Sequence, residues 1–149
     1  MTAIGIDIQR LGLADLDAID AIERRAYATP WSRSMFASEL GKRSSICLGA
    51  FEGESLIGYV VNARYVDAWH VMNLAVDPDH RRRGVASRLL ARLFELTEGD
   101  AERGYTLEVR VSNSAAISLY ERLGFSRHGI RTGYYTDNRE DALIMWRDP

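Results

Sequence analysis

Apolar residues recur along the chain in two patterns, one with helical spacing and one of alternation or short continuous runs. The first pattern is typical of amphipathic helices and the second of strands. Together they predict the element order β-α-α-β-β-β-α-β-α-β-β. The predicted strands cover 4–10, 45–52, 55–64, 68–76, 105–111, 125–133 and 141–146. The predicted helices cover 13–27, 32–40, 85–98 and 113–123.

This element order predicts an α/β (α+β) fold with a mixed sheet. The strands at 45–52 and 55–64 flank Gly53-Glu54, which is a hairpin signal, and the later strands alternate with helices as β-α-β crossovers do. The chain has 149 residues, 46% of them apolar and 27% charged, as expected for one globular domain over 1–149.

Charge and composition narrow the function classes. The net charge of −2 argues against general nucleic-acid binding, which favours strongly basic domains. Three scattered histidines and one cysteine, Cys47, give no metal-ligand spacing and no disulfide framework. Cys47 lies in an apolar run, so we expect it to pack in a strand. Neither a membrane-spanning run nor a signal segment is evident, so the sequence predicts a cytosolic protein without membrane or metal binding.

The segment 73–90, NLAVDPDHRRRGVASRLL, carries the first chemical signal. A strand ends at a turn, a loop of three arginines and Gly84 follows, and a helix then begins. Free amides at a helix N-terminus and the helix dipole together favour an anion, and a glycine lets the backbone approach it closely. No P-loop or dinucleotide pattern is present. The ligand predicted here is therefore a phosphorylated cofactor that is bound neither by a P-loop nor by a dinucleotide-binding motif.

Residues 81–86 fit the pattern [QR]-x-x-G-x-[GA], and here the chain resembles the GNAT N-acetyltransferases, in which this loop binds the acetyl-CoA pyrophosphate. The pattern alone leaves two alternatives open, an exposed basic turn and a nucleic-acid patch. Further segments strengthen the resemblance: NLAVDP at 73–78, LEVRVSN at 107–113, AAISLYERLGF at 115–125, ATPWS at 28–32, and the tail 131–142. They resemble the RimI branch, the bacterial ribosomal-protein alanine N-acetyltransferases.

The resemblance implies a GNAT fold, with a twisted sheet of about seven strands, flanking helices, and fourth and fifth strands that splay apart. It also implies acetyl-CoA as co-substrate. The backbone of Leu74 and Val76 would meet the pantetheine arm and the thioester. The cofactor-binding residues implied are Leu74, Ala75, Val76, Arg81, Arg82, Arg83, Gly84, Val85, Ala86, Ser87 and Asn113. Asn113 could equally cap the helix that begins there, with Ser112 as the other candidate cap.

The resemblance implies two catalytic residues. Glu108 would be the base; it faces opposite to Leu107 and Val109 on its strand, and partly apolar surroundings should raise its pKa. The alternative is a solvent-facing glutamate paired with Arg110. Tyr120 would be the acid that protonates the departing thiolate, and its alternative is a core tyrosine with a satisfied hydroxyl.

Trp31, Tyr134 and Tyr135 lie in two predicted loops, and the resemblance places these loops over the substrate peptide; the alternative is that they only cover core edges. Ala86 stands where many relatives have a second glycine. Thr132-Gly133 precedes the tyrosines where relatives often have a larger polar pair.

The implied activity is acetyl transfer to a protein N-terminal α-amine, by direct attack in a ternary complex, with the alanine of the eighteenth small-subunit ribosomal protein as substrate. An α-amine has a pKa of about 7.7–8.0 and lysine about 10.4, so lysine costs about 3.4 kcal/mol more to deprotonate. The alternatives are acetylation of lysine or of a small-molecule amine, and a non-catalytic acyl-CoA-binding module. We expect a monomer or weak dimer.

Overall fold

The computed structural model describes residues 5–149, which form seven strands and four α-helices. The strands are β1 Ile6–Arg10, β2 Ser45–Glu52, β3 Ser55–Tyr65, β4 Ala68–Val76, β5 Tyr105–Arg110, β6 Ser126–Arg131 and β7 Ala142–Arg147. The helices are α1 Leu16–Ala26, α2 Arg33–Leu40, α3 Val85–Leu96 and α4 Ser114–Arg122. Short 3₁₀ turns cover Leu13–Asp15 and Pro78–His80.

The strands form one mixed sheet in the order β1-β2-β3-β4-β5-β7-β6. Neighbours β1/β2, β2/β3, β5/β7 and β6/β7 are antiparallel, whereas β4 and β5 are parallel. The parallel ladder joins Trp69–Val71 to Tyr105–Leu107, so it involves only the first residues of β5. The predicted element order and fold class are confirmed. Ile4, where the first strand was predicted to begin, lies outside the described residues.

The start of the first helix and the end of the third differ from the prediction. Leu13 does not belong to the first helix but to a separate 3₁₀ turn, where it is exposed. The Asp15 carboxylate accepts a hydrogen bond from the Gly12 amide at 2.9 Å, and this local bond closes the turn before α1 begins at Leu16. The third helix ends at Leu96 rather than at residue 98; Leu89 and Leu93 are fully buried, whereas Leu96, its last residue, is exposed.

The described chain divides into two compact units. The first contains residues up to Ala63 together with Asn73–Leu96, and the second contains Arg64–Met72 together with Thr97–Pro149. The prediction of one domain over 1–149 stays a prediction.

In the first unit, the start of α3 is brought close to β3 and β4 at Gly58. A Cβ built on Gly58 would lie 2.9 Å from Cγ1 of Val85 and 3.1 Å from the Ala75 carbonyl oxygen. A side chain at this position would therefore push α3 away from the sheet. Cys47 is buried in β2, as predicted, and burial raises the pKa of its thiol to about 11.

The first unit also contains a buried carboxylate, Glu23 of α1, which is 1% exposed. It accepts hydrogen bonds from the Tyr59 hydroxyl of β3, from Nδ2 of Asn73 at 3.1 and 3.2 Å, and from the Trp31 amide at 2.9 Å. Burial and this carboxylate raise the pKa of Tyr59, so its hydroxyl keeps its proton and remains a donor. Glu23 thereby links the loop that contains Trp31 to β3 and β4.

Replacing Glu23 by alanine should lower the free energy of unfolding by about 2–4 kcal/mol, because Tyr59, Asn73 and Trp31 lose their shared acceptor. Chemical denaturation followed by circular dichroism measures this loss. Asp17→Ala is the matched control on the same helix, since its carboxylate is exposed and pairs only with Arg33. Equal losses in the two variants would contradict a structural role for Glu23.

Candidate active site

The arginine loop in the first unit has the backbone of an anion site. Arg82 has φ of 64° and Gly84 has φ of 72°, both in the left-handed region that non-glycine residues seldom occupy. Such left-handed residues allow successive N–H groups to converge on an anion. The Arg88 amide donates to the Gly84 carbonyl at 3.1 Å, which opens α3, so the amides of the first turn point out of the helix.

The three arginine side chains of this loop differ in their contacts. Arg81, Arg82 and Arg83 are exposed. Arg83 is paired with Glu52 at the end of β2, and this partner lowers the pKa of Glu52. A Cβ on Gly84 would meet no protein atom within 4 Å, so the protein itself requires glycine here for its positive φ rather than for space.

The end of β4 supplies the strand of the predicted cofactor site. Ala75 is buried, and Leu74 and Val76 are partly buried. The Leu74 carbonyl oxygen accepts a hydrogen bond from the hydroxyl of Tyr27, just after α1. The contact of Tyr27 was not predicted, because periodicity cannot reveal a contact between residues so distant along the chain.

Trp31 lies in the first unit beside α2. Its ring centroid is 5.1 Å from that of Phe36, and its amide is held by Glu23. The predicted loop position of Trp31 is therefore confirmed, and its ring is partly buried. Its contact with a substrate stays a prediction.

In the second unit, Glu108 lies on the polar face of β5. Leu107 and Val109 are buried and Glu108 is half-buried, so the predicted alternation is confirmed. Its Oε2 lies 2.6 Å from Nε2 of His70, and its Oε1 lies 3.7 Å from Nε of Arg131. Arg110 pairs with other acids instead, so the alternative of a Glu108–Arg110 pair is wrong.

The pKa of Glu108 is lowered, and the predicted rise is wrong. The hydrogen bond from His70 is the largest cause, and the positive charge of Arg131 acts in the same direction. Burial opposes them but is outweighed. Glu108 is therefore a carboxylate at neutral pH, and a weaker proton acceptor than expected.

His70 is the functional neighbour that the sequence reasoning missed. In the parallel ladder His70 lies opposite Thr106, and Trp69 and Val71 on either side of it are buried. His70 and Glu108 therefore emerge on the same polar face. Pairing His70 with Glu108 requires the β4–β5 register, which a single sequence does not reveal.

Tyr120 and Asn113 lie on α4 and at its start. Tyr120 is buried, with its ring centroid 5.8 Å from that of Phe125. Asn113 is the N-cap, since its Oδ1 accepts from the Ala116 amide at 3.2 Å. Ser112 does not take the cap; its amide donates to Glu140 at 2.8 Å. The catalytic role of Tyr120 and the cofactor contact of Asn113 stay predictions.

Tyr134 and Tyr135 lie in the loop between β6 and β7. Their rings meet edge to face at 5.2 Å between centroids. Tyr134 is exposed, whereas burial raises the pKa of Tyr135 to about 12. Arg131 lies 5.6 Å from the centroid of Tyr134, and Arg110 lies 4.0 Å from that of Tyr135. The second unit thus brings the two tyrosines and Glu108 into one network of arginine contacts.

No three His, Cys, Asp or Glu side chains within residues 5–149 are grouped closely enough to hold a metal ion. In the same part of the chain, no helix is both long and apolar enough to cross a membrane.

Comparison with known proteins identifies the family. Residues 16–125 match the model of the acetyltransferase (GNAT) family. The chain belongs to this family. It is 41% identical to the [ribosomal protein bS18]-alanine N-acetyltransferase of Escherichia coli K12 over 140 residues, which are 93% of this chain and 94% of that protein.

Solved structures agree with this assignment. The ribosomal-protein-S18-alanine N-acetyltransferase from Escherichia coli superimposes with a TM-score of 0.89 at 39% identity, covering 97% of this chain and 94% of that chain. Arabidopsis thaliana NAA60 in complex with acetyl-CoA gives a TM-score of 0.82 at 22% identity, covering 95% and 97% of the two chains, and this shows the shared fold.

Replacing His70 by phenylalanine should raise the pKa of Glu108, because the hydrogen bond that most lowers it is lost while a ring still faces Tyr65. A carboxylate with a lowered pKa stabilises the fold above its unfolded-state pKa, and this contribution is lost as pH falls through the folded value. Carbon NMR of labelled glutamate measures the titration. His70→Gln, which retains a donor, is the control, and an unchanged pKa in His70→Phe would contradict the assigned cause.

Proposed function

We propose that this protein transfers the acetyl group of acetyl-CoA to the N-terminal α-amine of a protein, with the N-terminal alanine of ribosomal protein bS18 as substrate. The observation that carries the proposal is Glu108, a half-buried carboxylate on the polar face of β5 that is hydrogen-bonded to His70 at 2.6 Å. The 41% identity to the Escherichia coli enzyme supports the choice of substrate.

Acetyl-CoA is the proposed co-substrate, bound in the first unit. The amides from Arg82 to Ser87 would hold its pyrophosphate, with Arg81, Arg82 and Arg83 adding positive charge. The left-handed conformations of Arg82 and Gly84 support this assignment, as does the acetyl-CoA complex of a protein with the same fold. The backbone of Leu74, Ala75 and Val76 is proposed for the pantetheine arm. Asn113, in the second unit, is the further proposed cofactor residue.

The proton chemistry is assigned to Glu108 and Tyr120. Glu108 accepts the proton from the attacking amine, directly or through water. Its lowered pKa makes it a modest base, and a modest base suits an α-amine, which is already partly neutral near pH 7.5. Tyr120 gives its phenolic proton to the departing thiolate. This assignment rests on its place in the segment 115–125.

The peptide is proposed to meet Trp31, Tyr134 and Tyr135. Trp31 is held by Glu23 in the first unit, and the tyrosines by arginines in the second. One family model matches residues 16–125, which include parts of both units, and this supports a single acetyltransferase domain. A ribosomal-protein substrate would place the enzyme in the cytosol. The proposed oligomeric state is a monomer or weak dimer.

The cofactor site is tested by thermal melting with and without acetyl-CoA. Parent Tm should rise with ligand, because binding to the folded state stabilises it. Gly84→Val should abolish this rise. Gly53→Val is the matched control, because Gly53 also has a positive φ, 62°, and also has open space around its Cβ.

Both glycine variants should lose a similar free energy of unfolding, roughly 1–3 kcal/mol, from backbone strain. Only Gly84→Val should lose the ligand-dependent rise. No rise in the parent at millimolar acetyl-CoA would reject the cofactor, and a normal rise in Gly84→Val would reject its assigned loop.

The amine substrate is tested by competition at pH 7.5 between a peptide that begins with free alanine and a blocked peptide that offers only lysine. The alanine peptide should be acetylated preferentially, since lysine is about 3.4 kcal/mol harder to deprotonate. Glu108→Gln should lower kcat/KM by roughly 10²–10⁴-fold. Mass spectrometry of the products gives both results.

Preferential acetylation of lysine would reject the N-terminal assignment in favour of the lysine alternative. No acetylation of either peptide, with acetyl-CoA bound, would favour a small-molecule amine or a non-catalytic module. An unchanged rate in Glu108→Gln would reject the base while leaving the substrate assignment intact.

A further inference from the structure

Arg110, the last residue of β5, makes an unusually complete set of contacts with the loop between β6 and β7. Its Nη2 lies 3.0 Å from each carboxylate oxygen of Asp137. Its Nη1 lies 3.2 Å from Oδ1 of Asn138 and 3.3 Å from Oε1 of Glu140. Two nitrogens of one guanidinium therefore meet acceptors from three loop residues, a geometry that fixes the plane of the group.

The same guanidinium plane lies over an aromatic ring of the loop. Cζ of Arg110 is 4.0 Å from the ring centroid of Tyr135, which in turn meets Tyr134 edge to face. Since hydrogen bonds with Asp137 and Glu140 fix the guanidinium, they also fix the ring that stacks on it. Arg110 thereby sets the orientation of Tyr135.

Glu140 links this loop to the turn between β5 and α4. Its Oε1 accepts from Arg110, its Oε2 accepts from the Ser112 amide at 2.8 Å, and its carbonyl oxygen accepts from the Tyr135 amide at 3.2 Å. The hydrogen bonds from Ser112 and from Arg110 hold the pKa of Glu140 below its usual range. These hydrogen bonds tie the loop between β6 and β7 to the turn that follows β5.

We propose that Arg110 is a positioning residue for the acetyl-accepting peptide: it holds Tyr134 and Tyr135 in the conformation that receives the peptide backbone. The proposal rests on the proposed function and deepens it. Arg110 and Glu108 are two residues apart on one strand face, so β5 carries both the base and the residue that orders the peptide loop. A loop ordered in advance lowers the entropic cost of binding.

This role makes a different prediction from a purely structural one. Arg110 is 27% exposed, and its partners Asp137, Asn138 and Glu140 belong to the loop between β6 and β7 rather than to the core. Its loss should therefore leave the fold and the cofactor site intact and weaken peptide binding. Lysine should not replace it, because an ammonium group cannot form the planar, two-nitrogen contact or stack on Tyr135 in the same way.

The test compares Arg110→Gln and Arg110→Lys with the matched control Arg127→Gln. Arg127 lies exposed on β6 and pairs with Glu121 at 3.6 Å, away from the loop contacts described above. We expect both Arg110 variants to raise the KM for the alanine peptide about tenfold, the effect of losing charge-assisted hydrogen bonds. Their kcat and their Kd for acetyl-CoA should stay within about twofold of the parent, and Arg127→Gln should match the parent throughout.

Amide hydrogen exchange followed by NMR gives a second readout that needs no catalysis. The amides of Ser112 and Tyr135 should exchange faster in Arg110→Gln than in the parent or in Arg127→Gln, because their acceptor Glu140 is freed. If the parent acetylates no N-terminal amine, the proposed function fails, and the exchange data still show whether Arg110 orders the loop.

Several outcomes would overturn the positioning role. One is a peptide KM within twofold of the parent, whether or not exchange changes. Another is a parallel loss of Tm, acetyl-CoA binding and kcat, which would assign Arg110 to the fold. A third is restoration of the parent KM by Arg110→Lys, which would reduce the role of Arg110 to its charge.

Discussion

The chemistry of the second unit depends on the two-residue alternation of β5. Tyr105, Leu107 and Val109 enter the core, and the residues between them, including Glu108 and Arg110, face the opposite side. The strand pairs with β4 in parallel and with β7 antiparallel, so its register is fixed on both edges. A shift by one residue would bury both charged side chains and expose the apolar ones, and core packing therefore enforces the geometry of the polar face.

Two carboxylates show how the same group serves two purposes. Glu23 is fully buried and accepts hydrogen bonds from Tyr59, Asn73 and Trp31, which leaves no part of it in contact with solvent and suits a structural link. Glu108 is half-buried, and its hydrogen bond comes from His70. The surrounding donors, more than the depth of burial, decide whether a carboxylate holds the fold or remains available for chemistry.

Local pattern predicted much of this molecule. The bounds of β2 and β4, the burial of Cys47 and the placement of Glu108 opposite to Leu107 and Val109 all follow from periodicity and short-range preference. The contacts that tune the site do not. His70 with Glu108 and Tyr27 with Leu74 join residues that are far apart along the chain, and only the register of the folded sheet brings each pair together.

The prediction of a raised pKa for Glu108 was wrong for the same reason, namely that contacts from residues distant along the chain determine it. Apolar neighbours along β5 suggested a raised pKa, but the neighbours that matter, His70 and Arg131, come from other strands. A lowered pKa limits how strongly Glu108 can pull a proton from an amine. With Glu108 as the proposed base, the substrate amine must therefore lose its proton easily. An α-amine is already partly neutral near pH 7.5 and a lysine is almost fully protonated, so the environment of Glu108 agrees with the proposed protein N-terminus as the acetyl acceptor.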